Sequence, residues 1–228
     1  SEDAMNISII KTIAALGLGV LVSACTAAPD FPTRAAPFET TPIPTVAPVA
    51  AAPVVAMPVS LNVAEINVLV PESLEVSEAN RFYPRGDIVW RGDPLGDRHA
   101  QVKAIFDTAF ARGAEAFDGE TPVRLDVEVR RFHSLTEKTR YTVGGVHSIT
   151  FLLTLRDART GELLRPTREV QADLDGFGGR QAILADARGE TQKVRITAHL
   201  AEVLRQELSR PEGHRNAKLG LIQALNKF

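Results

Sequence analysis

From Val123 to Arg130 apolar and charged residues alternate without a break: Val123, Leu125, Val127 and Val129 against Arg124, Asp126, Glu128 and Arg130. Successive side chains of an extended chain point to opposite faces, so this segment reads as a strand with one dry and one wet face. The dry face needs a second layer to cover it. Ile149, Phe151, Leu153 and Leu155 repeat the alternation, and Asp157-Ala158-Arg159-Thr160-Gly161 reads as a hairpin turn into a further strand within Glu162–Leu174. These two strands are expected to be antiparallel neighbours. Pro166 removes one ladder donor, which places its strand at an edge or a bulge rather than at the sheet centre.

The covering layer is also legible. Asp97 caps a helix in which Val102, Ile105, Phe106, Ala109 and Phe110 share a face, with Gly113 or Gly119 near its end. A second helix over Thr191–Ser209 carries Val194, Ala198, Ala201, Leu204 and Leu208 on one stripe, widened by Ile196, Leu200 and Val203, and Pro211 stops it. Leu61–Val70, closed by Pro71, reads as a first strand. The order strand, helix, three strands, helix predicts an α+β two-layer sandwich over residues 61–210, with a mainly antiparallel sheet and both helices on one face.

The chain ahead of this domain has a different composition. Met5–Lys11 forms a short n-region with one positive charge, and Thr12–Ala24 is apolar or small throughout. A membrane-spanning helix needs about 20 predominantly apolar residues, so the run reads as a signal-peptide core over residues 1–24. Ser1–Ala4 stand outside the fold argument. The run ends in Leu21-Val22-Ser23-Ala24-Cys25, which resembles the lipobox of bacterial lipoproteins, with Val22 in place of the commoner leucine. That resemblance implies cleavage between Ala24 and Cys25 and a diacylglycerol on the Cys25 thiol. Thr26, where an aspartate would favour inner-membrane retention by family analogy, points to the outer membrane, periplasmic face. Each buried methylene contributes about 0.8 kcal/mol, so two or three acyl chains, palmitate among them, would hold durably where one would not.

Residues 26–60 hold eight of the 14 prolines, together with many Ala, Val and Thr. This reads as a tether. Extended polyproline at ~3.1 Å per residue would let such a stretch reach on the order of 100 Å. An inert spacer is the simpler reading, with a proline-motif ligand as the alternative.

Candidate chemistry is sparse. Lys and Arg number 26 against 28 Asp and Glu, a net charge of −2, so no global basic field holds a nucleic-acid backbone. Pro71–Gly96 exceeds the about 12–15 residues usual for a bare connection in a compact domain. It holds the single tryptophan and two Arg-Gly-Asp tripeptides, Arg85–Asp87 and Arg91–Asp93, six residues apart. Glycine between charged residues is common turn chemistry. The alternative is a contact surface formed by Arg85, Trp90, Arg91 and Asp93, residue types that dominate interfaces, while a lone tryptophan also packs readily into its own core.

Asp175–Arg180 reads as a glycine-rich joint, with an anion cradle as the second reading; it lacks the lysine and the Ser or Thr of a phosphate loop. His99, His133, His147, His199 and His214 show no metal-ligand spacing, so no metal and no cofactor are implied. Neither a Gly-x-Ser-x-Gly elbow nor a free thiol is available as nucleophile. The tail, residues 211–228, sets Leu221, Leu225 and Phe228 near one another on a helix, to dock or to fray.

The order of elements behind a lipobox and a proline-rich tether is similar to that of small α/β envelope lipoproteins of Gram-negative bacteria. Trp90-Arg91-Gly92-Asp93-Pro94-Leu95-Gly96-Asp97-Arg98 resembles an uncharacterised alphaproteobacterial family among them. The resemblance implies a non-enzymatic accessory or assembly subunit of an envelope complex of transport or secretion type. Its partners would be the membrane, through Cys25, and an envelope protein or a second copy, with no nucleic acid. The alternative is a periplasmic carrier holding a lipid or small amphiphile between sheet and helices. A hydrolase with dispersed carboxylates is the third reading.

Overall fold

The computed structural model describes residues 60–220 and residue 223. The signal-peptide core, Ala24, Cys25, the tether up to residue 59 and Leu221, Leu225 and Phe228 lie outside the described residues. In chain order the elements are β1 (Leu61–Leu69), β2 (Ile88–Val89), α1 (Arg98–Ala114), β3 (Thr121–His133), α2 (Glu137–Arg140), β4 (Gly145–Asp157), β5 (Leu163–Gln171), β6 (Leu174–Gly176), α3 (Gly179–Ala187) and α4 (Gln192–Ser209). The fold is α+β, with an open, mixed sheet in the order β1-β3-β4-β5; β2 extends the β1 side of β3, and β6 the β5 side of β4.

The long pair β3 and β4 is the spine. Its register sets Leu125 opposite Leu155, Val127 opposite Leu153 and Val129 opposite Phe151, so the alternation of both strands loads one face. A bulge at Arg130 then adds one residue to β3. The extra residue reverses which parity points inward: Val129 and Phe132 are both buried, while Arg130 is exposed. Pro166 fits both sequence expectations at once. It lies on the edge strand β5, in a bulge where Leu153 pairs with Arg168 but Leu155 with Arg165.

The sheet is mainly antiparallel, as expected, and its parallel pairing is confined to one side of β3. β1 runs parallel to β3 from Leu61↔Thr121 to Leu69↔Glu128, and β2 pairs parallel with its end at Phe132 and His133. A strand that returns through a helix arrives at the same end from which it started, so the β1–α1–β3 passage must be parallel.

Asp97 caps α1, accepting from the Ala100 N–H at 3.0 Å, and Thr191 caps α4. Both long helices contribute to the one core that lies against the dry sheet face. Gly113 lies one residue inside the end of α1 and serves close approach rather than termination. A Cβ there would stand 2.8 Å from the Ala201 carbonyl oxygen of α4. Phe106 and Phe110 of α1 meet Phe151 edge to face at 5.5 Å, and Phe106 meets Phe132 at 6.2 Å. All four rings are fully buried. They belong to the core between sheet and helices.

Candidate functional site

β1 begins beside Thr121, so the chain joins the domain at one end of the sheet. From Thr121 to His133, at ~3.3 Å per residue, β3 carries the sheet about 40 Å to its other end. The irregular segments gather at that far tip: Pro71–Gly96, the β3–β4 connection around α2, and the turn after β6. Loops held by a rigid scaffold are where binding groups commonly lie.

Pro71–Gly96 is not a bare loop. Glu75 O accepts from the N–H groups of Asp87 and Ile88, and the Ser77 N–H bonds Ile88 O, folding the segment back on itself before β2 joins the sheet. In the first Arg-Gly-Asp, Gly86 takes a φ of 124°, a turn conformation that favours glycine, and the Asp87 carboxylate accepts the Glu75 N–H at 3.0 Å. Arg85 is exposed.

The second tripeptide wraps the tryptophan. Trp90 is 0% exposed, packs edge to face on Phe132 at 5.6 Å, and its indole N–H donates to Asp93 at 2.8 Å. Gly92 leaves room for the ring, since a Cβ there would come within 2.3 Å of it. Trp90 therefore does not form part of a contact surface. Its apolar body satisfies the core, and Asp93 satisfies its one donor.

Around it runs a network of ion pairs. Lys193 of α4 holds Asp93 at 2.8 Å; Arg98 of α1 holds Glu78 at 2.6 and 3.1 Å; Arg91 bridges Glu137 and Glu78. Burial pushes the Asp93 carboxyl up, but donation from Lys193 and Trp90 and the nearby Arg98 charge outweigh it and hold it below the usual carboxylate range. The hydrogen bond from Arg98 lowers Glu78 against a smaller effect of burial. Burial likewise raises Glu137, and Arg91 more than reverses it. An open cleft of about 380 Å³ lies among Glu78, Arg91, Asp93, Leu95, Arg98 and Glu137. Its carboxylates are held ionised and are poor proton donors near neutral pH.

A second, more enclosed cavity of about 210 Å³ lies on the other side of α2. Its walls are largely apolar: Phe82, Tyr83, Pro84, Leu135, Val143 and Val146. Tyr83 is 66% and Val143 73% exposed, and Tyr141 stands exposed nearby on α2's end, so both tyrosines of the chain are at this tip. Sequence reasoning passed over these residues. The available signal was Arg81-Phe82-Tyr83-Pro84-Arg85, two adjacent aromatics between arginines in a chain with only 6% aromatic residues.

The histidines do not converge on an ion. His99 Nε2 bonds Leu74 O at 3.1 Å, and His133 Nε2 bonds Pro84 O at 3.0 Å. His147, opposite Leu174 of β6, is fully enclosed; burial, then the charges of Arg195 and Arg140, push it down to about 3. Burial also lowers His199 and His214, which meet edge to face at 6.0 Å. Among the described residues no group of three or more His, Cys, Asp or Glu is placed to hold a metal.

The Asp175–Arg180 glycines are explained by packing: a Cβ at Gly176 would strike Leu135 at 2.5 Å, and one at Gly178 would strike Gly144 N at 2.3 Å. The described part of the tail is docked. Asn216 and Gln223 donate to the buried Asp173 carboxylate at 2.9 and 2.7 Å, and the Asp173 N–H returns a bond to Asn216 at 2.9 Å.

An α+β sandwich with long irregular segments at one tip defines the class only by fold. The family is defined by sequence: the model of a family of unknown function, DUF6778, matches residues 61–224, from the first residue of β1 into the docked tail, and the chain belongs to that family. No curated protein matches it significantly. Similar solved structures include a protein from Caulobacter crescentus CB15 described as a candidate lipoprotein, with 13% identity, 63% of this chain and 87% of that one covered, and a TM-score of 0.34. Others are a dodecamer of a PelC point variant from Paraburkholderia phytofirmans (14% identity, 66% and 90% covered, TM-score 0.34) and protein XCC0632 from Xanthomonas campestris, of family model DUF330 (11%, 66% and 79%, TM-score 0.36). Among the described residues no helix is long and apolar enough to cross a membrane.

Proposed function

We propose that this chain is a lipid-anchored protein of the bacterial envelope. Its domain serves as a non-enzymatic accessory or assembly subunit, held by acyl chains on Cys25 at the periplasmic face of the outer membrane. The observation that carries the reading is the run Leu21-Val22-Ser23-Ala24-Cys25, followed by the proline-rich residues 26–60 and then at once by β1. The tether meets the domain at the sheet end about 40 Å from the tip, by strand rise, so the exposed Arg85, Tyr83 and Val143 would face away from the point of attachment. That tip is the surface offered to an envelope protein or to a second copy. The four buried rings that fill the space between sheet and helices weigh against a carrier that binds its cargo there.

The test is metabolic labelling with palmitate, followed by affinity purification from solubilised envelopes. Label should enter the parent protein but not a Cys25→Ala form, which should wash from membranes in salt, and a stoichiometric protein companion should copurify. Absence of label in the parent overturns the anchor; purification of the anchored protein with no companion and no second copy overturns the accessory role.

A further inference from the structure

The 210 Å³ cavity at the tip is large enough for a small molecule, since an apolar cavity of about 150 Å³ already admits benzene. Its walls are largely apolar, with Phe82, Leu135 and Val146 among them.

Three unpaired cations lie on the segments around the opening. Arg81 and Arg85 flank the cavity-lining Phe82-Tyr83-Pro84, and Lys138 places its ammonium over the Phe82 ring, 4.8 Å from the centroid. All three cations are exposed, and among the described residues none is in an ion pair. The acids that lie close are already engaged: Asp87 accepts the Glu75 N–H, Glu137 pairs with Arg91, and Asp186 pairs with Arg140. The geometry points to a binding site for a small monoanionic amphiphile, an aryl or short-chain carboxylate. Its apolar body fills the cavity, and its acid group sits at the mouth among Arg81, Arg85 and Lys138. The volume is too small for a diacylated lipid, which commits the site to a small free acid. This assignment does not depend on the anchor at Cys25.

The probes are 3-phenylpropanoate and its neutral analogue 3-phenylpropan-1-ol. They are titrated against the full chain in nanodiscs of zwitterionic lipid, with empty nanodiscs as the blank and ligand-observed NMR as the readout. The carboxylate should bind saturably and at least fivefold more tightly than the alcohol at low salt, with the margin shrinking as salt rises. The surface double variant Arg81→Glu, Lys138→Glu should lose that margin and leave alcohol binding unchanged. Val143→Trp, which crowds the exposed wall, should weaken both probes at least fivefold. Unchanged melting temperatures of the variants establish that the fold persists. Saturable binding of neither probe, equal binding of acid and alcohol, or a margin that survives the double variant each overturns the assignment. Loss of the Cys25 label with carboxylate binding retained would refute the anchor and leave this site standing.

Discussion

Acidification should destabilise this domain well before its carboxylates protonate, and His147 should carry much of the effect. The ring is enclosed by β4, β6 and α4 and faces the cations Arg195 and Arg140, so its folded-state pKa is about 3 against 6.5 unfolded. Below 6.5 the unfolded chain takes up a proton that the folded protein does not, so stability falls as pH drops from 6.5 to 3 and changes no further below that. With each pKa unit equal to about 1.4 kcal/mol, His147 alone costs about 2 kcal/mol on going from pH 7.5 to 5, and roughly 4 kcal/mol by pH 3. His133, His199 and His214 are lowered in the same direction and add to the slope. The lowered Glu78, Asp93 and Glu137 act only below the ordinary carboxylate range, so the window from pH 5 to 7 isolates the histidines. Urea unfolding followed by the fluorescence of buried Trp90, at several pH values in that window, measures the slope. His147→Phe should flatten it by about 1.2 kcal/mol per pH unit between pH 6 and 5, whatever its effect on absolute stability. An equal slope in parent and variant would refute the argument, because it would mean that His147 is free to protonate in the folded state.

Trp90→Ala should cost about 3–5 kcal/mol, the usual range for deleting a buried aromatic ring, and Gly92→Ala about 1–3 kcal/mol by overpacking against the indole; chemical denaturation measures both. Ending the chain at Arg210 strips two donors from the buried Asp173 and should lower stability by about 1–3 kcal/mol in the same assay, whereas a tail that merely frays would leave it unchanged.

The spine of the fold was readable because period decides it: the alternations in β3 and β4 and the stripes on α1 and α4 each repeat over several turns or pleats. Asp97, Thr191 and Pro166 could be placed because each acts through its immediate backbone. Pairing direction could not be read, since nothing within Leu61–Leu69 distinguishes a parallel neighbour from an antiparallel one. α3 escaped because its apolar residues do not mark a buried face; Ile183 and Leu184 are exposed while Ala182 and Ala185 are buried. β2, β6 and α2 are too short to show a period, and their hydrogen bonds come from distant segments. Trp90 shows the same limit at the site. Its burial depends on Phe132, Asp93 and the missing side chain of Gly92, of which only the last two lie near it in sequence.

The bulge at Arg130 makes the outer third of the sheet depend on counting rather than on composition. Pairing this stretch with Arg130 in place but the bulge ironed flat would swing Arg131 beneath α1 and cast Phe132 out to solvent, whereas deleting Arg130 keeps Phe132 opposite Ile149 and removes only the kink. Replacing Arg130 by almost any other side chain should pass unnoticed. In this family, then, chains that lack the kink residue should pair this stretch as regular strand and still bury the residue at the place of Phe132.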